Sequence, residues 1–275
     1  MSLISNISVN SSNKFKTIID DFDKDKDENI AIDGGKNWSS YWSAVDSSVN
    51  LNDEFEYLSE HDDINVNSLN PSPNSNELGI ISKASGSSDN LMNRELELMP
   101  DNKSFERWIG FYFAHDGKNK VAALLLKNEP AQNATVLIGV RNNVNLDNND
   151  VPQYIVEVTG SSGSSDRDTG ESDVTPANIS NINNTDNFAD LLIARLIVND
   201  DNKITIRLYR FKPESDGLQL PPLNDIEDNE ICKVEDSNNF VKSNYITLFG
   251  RDSNVAFDTV CVSNSYERLR NIYSY

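Results

Sequence analysis

The chain has 275 residues, with 24 basic against 44 acidic side chains, a net charge of −20 and a pI near 4.4. Nucleic acid is thereby excluded as the default partner, because binding a phosphate backbone needs a basic footprint. A hydrophobic share of 37% still supports a core, while 38 asparagines, with serine making up about a quarter of the chain, predict long turns and loops.

Residues 1–14 are polar and read as an N-terminal arm, extended or docked on a neighbour. They show no basic stretch leading into an apolar one, so no secretory leader is expected, and synthesis in a cytoplasm follows. From Phe15 the pattern turns to short alternating or apolar runs, the period-two signature of strands. Strands are predicted at 16–22, 53–57, 79–82, 95–99, 108–115, 120–127, 134–140, 153–159, 191–199, 203–211, 245–250 and 255–263. Turns rich in Asn, Asp, Gly and Ser separate them, as in Asn199-Asp200-Asp201-Asn202. The longest apolar run, 121–126, is far short of the roughly 20 residues that cross a bilayer, so no membrane insertion is expected.

Helix signals are few: one turn at 186–192 and another in the tail from Tyr266. About a dozen strands with few helices predict an all-β, antiparallel two-sheet sandwich spanning 15–264, followed by a C-terminal tail at 265–275. Long loops are expected at 65–76, 160–185 and 213–241. The second opens with Gly160-Ser161-Ser162-Gly163-Ser164-Ser165, a flexible-linker composition read as an insertion within one domain. With no secretory leader, Cys232 and Cys261 are expected as free thiols.

Three places resemble the concanavalin A-like (laminin G-like) lectin and glucanase superfamily. Ile19-Asp20-Asp21-Phe22 leading to Asn37-Trp38-Ser39-Ser40-Tyr41-Trp42 looks like its opening strand and tryptophan. Trp108-Ile109-Gly110-Phe111-Tyr112-Phe113 followed by Val121 to Leu126 resembles its central paired strands. Ala194 to Asn199, Lys203 to Leu208 and the closing Phe257-Asp258-Thr259-Val260-Cys261 resemble its last strands. The resemblance implies a concanavalin A-like jelly roll. It leaves function open among lectins, glycoside hydrolases, polysaccharide lyases and structural modules.

Catalytic signatures of that superfamily are thin. The three-carboxylate strand of its hydrolases has no counterpart at the required spacing; Glu95-Leu96-Glu97 supplies two acids, read as a solvated face. Asn93-Arg94-Glu95-Leu96-Glu97 is similar to a strand of alginate-type lyases whose partner strands are not found. His61 and His115 both sit in acidic, polar turns and read as surface histidines. Asp23, Asp25, Asp27 and Asn29 alternate as calcium ligands do, but Glu28 stands where a sharp turn wants glycine, so calcium is possible and a solvated acidic turn is the ordinary reading. Trp38, Tyr41 and Trp42 are the candidate sugar platform, because flat aromatic faces beside Asn and Asp suit a pyranose ring; core packing is the competing reading.

The leading expectation is a non-enzymatic viral (phage) structural protein on the virion surface, such as a head decoration protein or a tail or fibre component. Its partners would be other virion proteins or copies of itself, with cell-surface polysaccharide as a further ligand. The alternative is a carbohydrate-binding module or lectin, calcium-dependent or not, and third comes a polysaccharide-degrading enzyme.

Overall fold

The computed structural model describes residues 17–20, 22, 40–44, 50–58, 69, 79–82, 89–96, 104–116, 121–129, 133–142, 152–171, 174–182, 187–239, 241, 243–251 and 253–274. The predicted arm at 1–14 and most of the predicted loop at 65–76 lie outside them. Fifteen strands are found among the described residues, in two antiparallel sheets facing each other, as the period-two pattern predicted.

The larger sheet runs β13 (Glu230–Ser237), β12 (Ile204–Phe211), β11 (Asp190–Val198), β6 (Phe105–His115), β15 (Val255–Ser263), β4 (Ile80–Ser82) and β3 (Phe55–Tyr57), with β1 (Ile18–Asp20) also pairing β15. The other runs β10 (Ser165–Thr169), β9 (Gln153–Thr159), β8 (Thr135–Arg141), β7 (Val121–Lys127), β14 (Tyr245–Arg251), β5 (Asp89–Glu95) and β2 (Ser43–Ala44). The core between them is filled by one side of each strand, for example Ile204, Ile206 and Leu208 from β12 against Val156 and Val158 from β9. Central strands β6, β7 and β15 read as nearly unbroken apolar runs because both their faces are covered.

A second apolar layer explains the covered outer face of the larger sheet. Helix α2 (Tyr266–Tyr273) lays Tyr266, Leu269 and Tyr273 on it, beside Leu218, Leu220 and Ile226. Gly110 on β6 leaves the notch that Tyr273 fills: a Cβ there would stand 2.5 Å from the Tyr273 ring. The Tyr273 hydroxyl donates to the Thr259 carbonyl, where β15 carries a one-residue bulge with Thr259 at φ 46°. The segment predicted as a tail is thus part of the fold.

Other expectations also change. The serine-glycine stretch is the turn of a β9–β10 hairpin, with Gly163 at φ 82° and its N–H donating to the Gly160 carbonyl at 3.0 Å. The predicted 213–241 loop contains a 3₁₀ segment at Leu223–Asn229 and then β13. A strand runs over Asp89–Glu95, and of the predicted strand at 95–99 the residues 97–99 lie outside the described ones; the polar start of 53–57 forms helix α1 (Leu51–Glu54), whose amide of Asn52 is capped by Asn50. Residues 187–189 are non-helical. Cys232 and Cys261 are both free and buried, and burial pushes both thiols up.

Candidate functional site

Two buried polar clasps tie one sheet to the other, and they share a design. In the first, Asp20 on β1 accepts hydrogen bonds from the Phe22 N–H (3.1 Å), the Trp42 indole N–H (2.7 Å) and Arg94 of β5. The Arg94 guanidinium lies over the Trp42 ring at 5.4 Å, and its Nε donates to the Ser40 carbonyl at 2.9 Å. Both charged side chains are fully buried. In the second, Asp190 at the start of β11 accepts from the Tyr154 hydroxyl of β9 and from the Ala177 N–H (2.8 Å). Arg210 of β12 pairs with Asp190 at 2.9 Å, donates to the Thr175 carbonyl at 3.1 Å and stacks on the Tyr154 ring at 5.5 Å. Burial and the neighbouring Asp190 charge raise the Tyr154 phenol well above its ordinary range, so it stays a donor.

These geometries decide the aromatic platform expected from the sequence. Trp42 is 2% exposed and spends its indole N–H and ring on the first clasp, so it presents no face to a sugar. Tyr41 next to it is 61% exposed. Trp38 lies outside the described residues, as do Asp23, Asp25, Asp27, Asn29 and His61. His115, expected at the surface, is buried at the end of β6, and burial lowers it to about 4, against the neighbouring Asp116 charge. Glu95 ends β5 with its N–H donating to the Ser40 hydroxyl (3.0 Å), whereas Leu96 is core.

The second clasp opens onto a concave surface among the described residues. Arg210 and Lys212, at the end of β12, line a cleft of about 560 Å³ together with Glu214, Asp216, Gln219 and Asn229. Its floor carries buried Phe211 and Leu218. The far wall is a tight turn in which Glu214 and Gly217 exchange backbone hydrogen bonds, and Gly217 at φ 122° occupies a backbone region that side chains avoid. α2 anchors the chain beyond it: Arg270 Nε donates to the Leu220 carbonyl (2.8 Å) and the Leu220 N–H donates to the Ser274 hydroxyl (3.1 Å). A second cavity of about 190 Å³ adjoins across the same Arg210 and Lys212, lined also by Asn178, Asn181, Asn187 and Phe188.

Sequence reasoning missed this region, although a signal was present. Arg210 falls in phase with Ile204, Ile206 and Leu208, and Asp190 in phase with Leu192 and Ala194. A charge at a position that alternation assigns to the core marks a buried pair. Among the described residues there is no group of three or more His, Cys, Asp or Glu side chains arranged to hold a metal ion.

No family model and no curated protein matches the chain. Among solved structures, the chain is similar to the globular domain of Trypanosoma cruzi calreticulin ("T. cruzi calreticulin globular domain"), with 9% identity and TM-score 0.41 over 80% of this chain and 87% of that one. It is also similar to an endo-β-1,4-glucuronan lyase from the fungus Trichoderma reesei (9%, TM-score 0.43, 70% and 83%). A third is the metal-free lectin I-B4 of Griffonia simplicifolia (13%, TM-score 0.37, 70% and 89%). Similarity at this level carries no ligand and no reaction over to this chain. The protein is an antiparallel two-sheet β-sandwich.

Proposed function

We propose that this chain is a non-catalytic carbohydrate-binding module that holds glycan in the cleft at the end of β12. The observation behind this reading is the lining of that cleft. Cations, carboxylates and carboxamides line it together with apolar side chains, in a volume of about 560 Å³. A sugar turns hydroxyls outward on every side, each both donor and acceptor, while its ring C–H faces are apolar; a wall of mixed polarity over Phe211 and Leu218 matches both. Calorimetry of the folded chain against glycans found on an array tests this. Asp216→Ala and Gln219→Ala should each weaken binding about tenfold without moving the melting temperature, the size of a lost hydrogen bond to a charged or polar partner. A folded chain that binds no glycan, or binds it unchanged in both variants, overturns the reading.

The virion-surface placement is a second proposal, and the clasps favour it, since two sheets pinned at separate points make a stiff block suited to packing against neighbouring subunits. Mass spectrometry of purified particles tests it: absence of the chain from every particle fraction removes it. Calcium at Asp23, Asp25, Asp27 and Asn29 is tested by repeating the glycan titration with a chelator.

A further inference from the structure

Resting on the carbohydrate reading, we infer that the ligand is an acidic glycan whose carboxylate is held in the smaller cavity between Arg210 and Lys212. The two cavities differ in accessible charge. Glu214 and Asp216 line only the larger one, where they offset the two cations. Among the described residues of the smaller one's wall, Asp190 is the sole carboxylate, and it is 1% exposed. Its Oδ2 is occupied by the Tyr154 hydroxyl and the Ala177 N–H, and its Oδ1 is turned against Arg210. Asp190 therefore orients the arginine from behind without presenting its own charge to the cavity.

Arg210 keeps 21% of its side chain open, and Lys212 is exposed beside it, two positions along the chain on the same side of the extended backbone. The accessible charge of the smaller cavity's described lining residues is thus positive in a molecule of net charge −20. A guanidinium fixed by a carboxylate, a phenol ring and a carbonyl is organised before any ligand arrives, and its planar fork suits a carboxylate. Asn178, Asn181 and Asn187 border the same space, and Phe188 supplies an apolar wall. At about 190 Å³ the cavity takes one sugar ring. The larger cleft, across the shared Arg210 and Lys212, receives the next units, where the charges balance.

The test uses pairs of uronic-acid oligosaccharides and their methyl esters, built on glucuronate, galacturonate and mannuronate, titrated calorimetrically into the folded full chain. The expected result is that at least one acid binds about tenfold more tightly than its own ester. Lys212→Gln should weaken binding of the acid more than binding of its ester and so reduce that preference. Lys212 is exposed and outside the clasp, so the variant folds; Arg210→Lys, which keeps the charge but loses the fork, serves as the second variant and should also reduce the preference. Equal binding of every acid and ester, or tighter binding of the esters, overturns the acidic assignment while leaving the carbohydrate reading in place. Failure of all these and of every glycan on the array overturns both.

Discussion

Replacing Arg94 by methionine isolates what the first clasp contributes. The substitution keeps the length and apolar stem of the side chain, removes the charge, and leaves the Asp20 carboxylate fully buried with the Trp42 and Phe22 N–H groups as its remaining clasp donors. It also removes the bond from Nε to the Ser40 carbonyl and the stacking on Trp42. Breaking one side of a buried ion pair costs about 3–5 kcal/mol, because the surviving charge has lost its compensation. With a urea slope of about 3 kcal/mol/M for a chain of this size, the unfolding midpoint should fall by about 1–2 M. The double variant Asp20→Leu, Arg94→Met removes both charges. It leaves the Trp42 and Phe22 donors wanting partners at about 1–3 kcal/mol each, so it should be less unstable than the sum of the single variants by more than about 1 kcal/mol. Urea denaturation followed by tryptophan fluorescence measures all three. A midpoint shift below about 0.3 M for Arg94→Met, or strict additivity in the cycle, refutes the account of Asp20 and Arg94 as an interdependent pair.

His115 makes stability depend on pH. Its folded value of about 4 lies below the unfolded 6.5, so the unfolded chain binds more protons between these values, and stability falls as pH drops through that window and is complete above it. The full loss is roughly 3 kcal/mol, and His115→Gln should flatten that part of the profile in urea titrations at stepped pH; an unchanged slope contradicts it. Gly139→Ala should cost about 2 kcal/mol or more, because the added Cβ would stand 2.2 Å from the Ala122 carbonyl oxygen and 2.6 Å from the Ala123 Cα, backbone atoms that cannot swing aside. Thermal melting reads this, and a shift under about 1 °C would show that the strands adjust. Cys232 and Cys261 should stay unreactive to a thiol-specific dye in the folded protein and react together in denaturant, since both are buried and burial disfavours both thiolates; prompt reaction of either in the native state counts against its placement.

Strand alternation made most of the sandwich legible: 153–159 and 255–263 coincide with β9 and β15 to the residue. The misses share a cause. β10 reads Ser-Asp-Arg-Asp-Thr and carries no apolar side, because its acids work on the facing sheet, Asp168 accepting from the Lys233 N–H at 2.8 Å and Asp166 from the Ser237 hydroxyl at 2.6 Å. The 89–94 part of β5 was missed because Asn93 and Arg94, both buried, read as surface residues. Trp42 was legible as an aromatic near an aspartate and not as part of a clasp, since Asp20 and Arg94 are 74 residues apart and only the folded chain joins them. A sequence shows which positions break a pattern; the partner that explains the break is set by topology.

The sequence distance spanned by the clasps also bears on how the protein comes apart. One joins residues 74 positions apart and the other 36, so each repays its loop-closure cost only after the two sheets have met. Contacts completed after the folding transition state are the ones that must be broken before it on the way out. The clasps accordingly act on the lifetime of the native state more than on the speed of reaching it, and a chain stripped of either one should fold at nearly the usual rate and unfold sooner.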